Sequence, residues 1–127
     1  MASPSEAWNA ADLDRIGRSE EIQVAPRRPD GSLRPFVTTW VVEVGDDVYV
    51  RSARGVGSGW WRRATASGSG RVRVGELEQD VSFEPATDMN EVVDRAYHRK
   101  YDRYGARVVG TVVGDEAAPT TLRVLPA

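Results

Sequence analysis

The chain has 127 residues, of which 40% are hydrophobic and 28% charged, and its formal net charge is −2 at pH 7. This length suits one domain with a core of ordinary size, and the composition excludes a disordered chain. The absence of cysteine and the presence of a single histidine exclude disulfides, thiolate nucleophiles and multi-histidine metal sites. We therefore expect no metal, no nucleic acid and no membrane partner, and, without a signal peptide or an apolar span, a cytoplasmic protein.

The first half of the chain carries one helix signal followed by strand signals. Trp8, Leu13 and Ile16 have helical spacing, whereas the residues around Trp40 are β-branched and aromatic. Three prolines and the pair Asp30-Gly31 mark a loop or hairpin tip between the first two strands. The predicted elements are a disordered tail (1–7), a short helix (8–16), strands (20–25, 36–44 and 48–51) and the loop (26–35).

The second half predicts two short strands, one long helix and two closing strands. A helical turn follows Trp60, and an alternating pattern on both sides of Gly75-Glu76 predicts a hairpin. Asp88 is a suitable helix N-cap and Gly105 a suitable stop. The predicted elements are helices (60–66 and 88–104), the hairpin (71–83) and closing strands (108–113 and 120–125).

These elements predict a mainly β, α+β domain that spans residues 1–127. Six or seven short antiparallel strands, with the one long helix placed between the later ones, are typical of a small antiparallel barrel. The two short helices, one near the N-terminus and one after Trp60, would pack on that barrel.

A candidate anion site lies in the segment 48–64, where arginines and serines surround a glycine-rich turn. Glycine lets backbone amides approach an anion, and guanidinium groups hold phosphate oxygens in pairs. The alternative is that these arginines lie on a solvated turn while the tryptophans pack in the core, and the same choice applies to the arginines of the loop 27–34. The candidate binding residues are Arg34, Arg51, Ser52, Arg54, Gly55, Trp60 and Trp61.

A second candidate is a polar stripe on the long helix. Tyr97, Lys100, Tyr101 and Tyr104 recur at three- and four-residue spacing. Phenols and the only lysine of the chain could act as acids or bases beside a substrate. The same spacing is what a helix packed on a barrel needs, so packing is the favoured interpretation. Tyr97, Lys100 and Tyr101 remain weak catalytic candidates, and no catalytic residue is assigned.

Several of these motifs occur in the order found in a known superfamily. The loop from Arg27 to Arg34 precedes the strand 36–44, and Trp60-Trp61 opens a short helix after a glycine-rich segment. In this order and spacing the segment 24–85 resembles the FMN-binding split β-barrel superfamily, especially its small deazaflavin-dependent nitroreductase-like proteins. The elements Tyr-Val-Arg-Ser (49–52), Trp-aromatic-Arg (60–62) and Tyr-x-x-Lys-Tyr (97–101) are similar to those of a group of uncharacterised small bacterial proteins.

This resemblance implies a split barrel that works as a homodimer, with FMN or a deazaflavin bound across the dimer groove. Of the basic positions that hold the cofactor phosphate in such proteins, Arg34 matches directly. Pro29 stands at a second position, and Arg51 or Arg54 would replace a lysine of the glycine-rich segment. The implied function is reduction of a small organic substrate. The alternatives are a cofactor-free small-molecule-binding or accessory protein, and an isomerase or cyclase that uses the helix stripe.

Overall fold

The computed structural model describes residues 7–127, which fold into six strands and four α-helices. The predicted disordered tail lies outside these residues, except for Ala7. The strands close into an antiparallel barrel in the order β1-β2-β3-β6-β5-β4, which confirms the predicted fold class. The strands are β1 (Glu21–Pro26), β2 (Val37–Val44), β3 (Asp47–Val50), β4 (Ser69–Val74), β5 (Leu77–Pro85) and β6 (Leu122–Pro126). The helices are α1 (Ala10–Arg18), α2 (Gly59–Ser67), α3 (Asn90–Tyr101) and α4 (Ala106–Val113).

The inside of the barrel is filled by alternate residues of the strands, as a period of two requires. Val24, Val41, Val48 and Val72 are all fully buried there. Helices α1 and α2 pack on this core, and the Trp8 indole donates a hydrogen bond to the Val124 carbonyl at 2.8 Å. The alternating apolar residues from which the strands were predicted are therefore the residues that fill the barrel core.

A second core lies outside the barrel, where α3 and α4 cover the outer face of β2 and β3. Val42 and Tyr49 point outward from the two strands and pack against Tyr97 of α3 and Val109 of α4. The barrel wall thus has apolar residues on both faces in this region. The result is a barrel with one side shielded by a pair of helices.

The prediction of a strand over 108–113 is wrong, because these residues form α4. Val109 and Val112 are buried at helical spacing, while Val108 is 42% exposed. β-Branched residues favour strands only weakly, and packing against α3 decides the outcome here. The predicted cap was also wrong: α3 starts at Asn90 after a 3₁₀ turn, and Asp88 caps nothing. α3 ends at Tyr101 and a 3₁₀ turn continues it to Tyr104, so Gly105 stops this helical segment as predicted, and α4 begins directly after it.

The predicted hairpin tip between β1 and β2 is confirmed, and it shapes the site described below. Arg27 bridges to Leu33, and the Arg34 N–H donates to the Pro26 carbonyl at 2.9 Å. Gly31 has a φ of +90°, which glycine adopts without strain. These bonds fold residues 27–34 back on themselves, so the arginines at both ends of the loop lie close together. None of the helices in residues 7–127 has the length and hydrophobicity that a membrane-spanning segment requires.

Candidate functional site

A cleft of about 870 Å³ opens between the β1–β2 hairpin loop and α2. Its volume falls within the range of about 300–1,000 Å³ that is typical of small-molecule sites. Five of its lining residues are arginines, and none of the described lining residues is acidic. We call it the arginine cleft. It is lined by Arg27, Arg28, Pro29, Gly31, Arg34, Gly59, Arg62, Arg63, Ala66, Ser67 and Ser69.

One wall of the arginine cleft is a single face of α2. Gly59, Arg62, Arg63 and Ala66 all line the cleft, and each arginine lies three or four residues from Gly59 and from Ala66. The other face of the helix carries the two tryptophans and Ala64, which pack on the barrel core. The helix therefore needs its tryptophans as an anchor in order to present two arginines to the cleft.

The opposite wall is the hairpin loop, and two of its arginines are held by bonds within the chain. Arg27 donates to the Asp80 carboxylate at 2.9 Å and to the Gly31 carbonyl at 2.7 Å. Arg28 donates to the Leu33 carbonyl at 2.8 Å. These side chains are oriented by the loop itself before any ligand arrives.

Arg34 differs from its neighbours because part of its guanidinium is buried without a partner. Its Nε is shielded from solvent and makes no hydrogen bond with any described residue. Buried polar groups are nearly always paired, since an unpaired one costs about 1–3 kcal/mol. A site for an anionic group typically combines positive charge with a donor that has no partner within the protein. The arginine cleft and Arg34 show this combination among the described residues.

The charge of the arginine cleft is poorly compensated. Among the ion pairs formed by residues 7–127, only Arg27 of the five lining arginines takes part, through Asp80. The other four leave a concentrated positive charge in a chain whose net charge is −2. Such a cleft raises the local concentration of anions. No cluster of metal-binding side chains occurs in the part of the chain that is described.

The structure places Arg51, the centre of the predicted phosphate site, in the protein interior. Its side chain is fully buried between β3, α3 and α4. All five of its N–H donors have partners within the chain, and Asp94 supplies the ionic one. Arg51 thus fastens the two helices to the barrel and has no donor left for a phosphate. Its partners are the Asp94 carboxylate, the Val112 carbonyl, the Thr121 hydroxyl, and the carbonyl and side-chain oxygens of Asn90.

The rest of the glycine-rich segment also lies apart from the arginine cleft. The Ser52 N–H donates to the Thr120 hydroxyl, and the Ser52 hydroxyl accepts a bond from the Arg54 N–H. Gly55 has a φ of +72°, and a Cβ there would lie 3.0 Å from the Glu116 carbonyl oxygen. These contacts join the segment to the turn before β6. The Arg54 side chain is exposed beyond it.

Trp60 and Trp61 are half-buried and pack on the barrel core, so neither lines the arginine cleft. The Trp61 indole also donates to the Thr120 carbonyl at 3.1 Å. Their position matches the packing alternative rather than a wall for a ring inside the cleft. Of the predicted binding residues, Arg34 alone lies in the cleft.

Four cleft arginines lie in the two candidate segments, 27–34 and 48–64, but were not among the named binding residues: Arg27, Arg28, Arg62 and Arg63. The sequence held a signal for the last two. In a helix over 60–66, Arg62 and Arg63 lie on the face opposite the tryptophans once the tryptophans are assigned to the core. Arg27 and Arg28 were recognised only as part of a candidate loop. Whether loop and helix meet depends on the barrel geometry, which no local pattern contains.

The stripe on α3 packs against β2, as the favoured interpretation predicted. The Tyr101 ring stacks on Trp40 with centroids 4.0 Å apart, and its hydroxyl donates to the Glu20 carbonyl at 2.6 Å. Tyr97 is fully buried, and burial raises its pKa. Lys100 donates to the Val41 carbonyl at 2.8 Å. These groups close the end of the β1–β2 pairing and do not line the arginine cleft.

Lys100 gives the fold a measurable pH dependence. Burial lowers its pKa from 10.5 to about 8. Between these values the unfolded chain binds a proton that the folded chain does not, so the contribution of this group to stability rises with pH. We expect the free energy of unfolding of the wild type to increase from pH 8 to pH 10 relative to Lys100→Met. Above that range the buried Tyr97 and Tyr101, whose pKa values are raised by burial, act in the opposite direction.

Urea denaturation of both proteins at several pH values, followed by tryptophan fluorescence, measures this difference. Lys100→Arg is the matched control, because its charge does not titrate in the range. A constant difference between the wild type and Lys100→Met from pH 8 to pH 10 would show that Lys100 titrates alike in the folded and unfolded chains.

Several solved structures share this fold at low sequence identity. HutZ, the heme storage protein of Vibrio cholerae, has a TM-score of 0.63 and 11% identity over 92% of this chain and 88% of that chain. An FAD-binding protein of Mesorhizobium loti has a TM-score of 0.58 and 16% identity over 95% and 91%. A NimC/NimA family protein of Clostridium acetobutylicum has a TM-score of 0.55 and 12% identity over 92% and 80%. The class defined by these likenesses is the split-barrel fold.

Within that fold class the sequence identifies a particular family. Residues 12–124 match the family DUF2255, described as an uncharacterized protein conserved in bacteria. The match spans most of the chain, so the chain belongs to this family. No curated protein sequence matches it. The predicted likeness to a bacterial split-barrel group is therefore confirmed at the level of family and fold.

Proposed function

We propose that the arginine cleft binds the phosphate of a flavin-type cofactor, FMN or a deazaflavin, and that the protein reduces a small organic substrate. The observation that carries this proposal is the buried Nε of Arg34, which has no partner among residues 7–127, at the wall of a cleft with five arginines. A phosphate would compensate the positive charge of the cleft, and it would satisfy that donor once the Arg34 side chain turned it toward the cleft. Two proteins with the same fold, an FAD-binding protein and the heme storage protein HutZ, support a cofactor as the ligand.

The residues in the cleft suit a phosphate in three respects. Arg34, Arg62 and Arg63 form no ion pair with a described residue, so their charge is available to a ligand. The guanidinium group offers paired donors that match phosphate oxygens. Arg27 and Arg28 are already fixed by bonds within the loop, which reduces the conformational entropy lost on binding.

The ring of the cofactor needs apolar cover that the cleft arginines do not provide. No aromatic residue is among the described residues that line the cleft. We propose that a second copy of the chain supplies this cover, in a homodimer with the cofactor in the groove between the subunits. Val37, Val56, Tyr104 and Val108 are large apolar residues left exposed in the single chain, and burial of any of them between subunits would favour the dimer.

A bound flavin or deazaflavin would supply hydride chemistry, and the chain would bind it and position the substrate. Arg34, Arg62 and Arg63 would hold the anionic end of the cofactor. Arg27 and Arg28 would keep the loop in place. The role of these arginines is binding and orientation.

Titration of the purified protein with FMN and, separately, with the deazaflavin coenzyme tests this proposal. We expect micromolar binding of one of them, seen as a change in cofactor fluorescence and in the visible spectrum, and a dimer by light scattering. Binding of either one would justify a screen of reductase activity with that cofactor. Failure of both with an intact dimer would contradict the cofactor proposal.

The second candidate is a cofactor-free protein that binds a small anionic molecule in the same cleft. The position of Trp60 and Trp61 favours it, because both indoles pack on the barrel and neither offers a face to the cleft. Inorganic phosphate and pyrophosphate, tested by calorimetry, separate the two candidates. Binding of these anions without binding of either flavin would favour the second.

A further inference from the structure

Asp80 connects the arginine cleft to the outer surface of the barrel. It lies on β5 directly opposite Arg71 of β4. One of its carboxylate oxygens accepts a hydrogen bond from Arg71 Nε and another from Arg27 Nη2, both at 2.9 Å. The bond from Arg71 lowers the pKa of Asp80, so its carboxylate stays charged at neutral pH. Asp80 is the acidic partner of the one cleft arginine that has a described ion pair.

Arg27 is held at both ends of its guanidinium. Nη2 binds Asp80, and Nη1 donates to the Gly31 carbonyl at 2.7 Å. Gly31 is at the tip of the hairpin loop, whereas Asp80 is on the barrel wall. The flat guanidinium can join the two because its donors point in fixed, separate directions. The side chain thus ties the loop tip to β5.

This tie matters because the loop carries the cleft arginines Arg28 and Arg34. Its remaining internal bonds are backbone bonds, the short turn around Asp30, and the bonds that the Arg28 side chain donates to Ser32 and Leu33, and all of these stay within the loop. The Arg27 side chain is the contact that joins the tip to another strand. Without this contact the tip would be held only by bonds within the loop itself.

We propose that Asp80 is a positioning residue of the arginine cleft, which orients the loop arginines for an anionic ligand by holding Arg27 against Gly31. This rests on the proposed function, since the affected quantity is affinity for that ligand. The Asp80 side chain is 48% exposed, and exposed ion pairs add little to stability. Asp80→Asn should therefore fold like the wild type and change binding rather than folding.

Titration of Asp80→Asn with FMN, or with the deazaflavin coenzyme if that is the one bound, tests this role. We expect binding about fivefold weaker than in the wild type, within the range of coupling between residues in contact. The matched control is Glu78→Gln, which breaks the 3.3 Å pair of Glu78 with Arg73 on the same two strands without touching the loop. This control should bind like the wild type. Unchanged or tighter binding by Asp80→Asn would overturn the proposal.

A double-mutant cycle with Arg27→Lys separates positioning from a general effect of charge. A lysine keeps the charge but cannot bind Asp80 and Gly31 together in the same way. We expect Asp80→Asn to weaken binding in the wild type and to add almost nothing in the Arg27→Lys background. If the fold-loss of affinity in the double variant equals the product of the losses in the two single variants, Asp80 does not act through Arg27 and the proposal fails.

Hydrogen exchange tests the positioning role of Asp80 without any ligand. Failure of this role can therefore be distinguished from failure of the proposed cofactor binding. The Gly31 and Arg34 amides donate to the Arg28 and Pro26 carbonyls, each at 2.9 Å. In Asp80→Asn these two amides should exchange faster, whereas Glu78→Gln should leave them unchanged. Unaltered exchange would overturn the positioning role, whatever the flavin titration shows.

Discussion

Arg34→Ala is expected to weaken binding of the phosphate-bearing cofactor by about 1.5–3 kcal/mol, which is roughly 10- to 150-fold in Kd. The physical reason is that Arg34 combines a charge with a buried Nε that has no partner among residues 7–127. A phosphate that pairs with this donor removes a cost already present in the free protein. The effect should therefore exceed that of the other cleft arginines, whose unpaired donors reach solvent.

The matched control for this prediction is Arg54→Ala, which removes the same charge from an exposed arginine outside the cleft. Fluorescence titration of both variants with the cofactor gives the comparison. Arg34→Lys adds a finer test, because lysine keeps the positive charge but has no Nε. If Arg34→Ala and Arg54→Ala bind equally well, the phosphate lies elsewhere than the arginine cleft.

Arg51→Met is expected to lower the free energy of unfolding by about 3–5 kcal/mol, because several buried acceptors lose their donor at about 1–3 kcal/mol each and the ion pair with the 37% exposed Asp94 is broken. The substitution leaves Asp94 without its cation and the Val112 carbonyl and Thr121 hydroxyl without their donor. These groups join β3, α3, α4 and the turn before β6. The loss should loosen both helices, since Arg51 is the shared partner at their junction with the barrel.

Urea denaturation followed by tryptophan fluorescence measures this effect, with Arg54→Met as a control in the same segment. Arg54 is exposed, so its replacement should change stability by less than about 0.5 kcal/mol. At low urea, Arg51→Met that is still folded should bind the cofactor as the wild type does. If Arg51→Met is as stable as the wild type but has lost cofactor binding, Arg51 is a phosphate ligand, and its structural role is contradicted.

The contrast between Arg51 and Arg34 shows where sequence reasoning succeeded. Both were proposed as phosphate ligands, and both follow or precede a strand in a segment rich in turn residues. The local sequence does not reveal that the outer face at Arg51 is covered by two helices from the far end of the chain. The error about α4 has the same origin, because a valine-rich segment bounded by glycines satisfies strand and helix patterns alike.

Because alternation, turn residues and helical spacing are local properties of the chain, the sequence by itself determined the six strands of the barrel, the hairpin tip and the long helix, although it also predicted a strand where α4 lies. It also determined that any anion site had to be local, since the net charge is only −2. The tertiary structure decided which arginines are buried and which meet. Closure of the barrel brings α2 beside the loop at residues 27–34, and packing of α3 and α4 encloses Arg51. These are contacts between residues far apart in the sequence, and their energies depend on burial and pairing that only the folded chain creates.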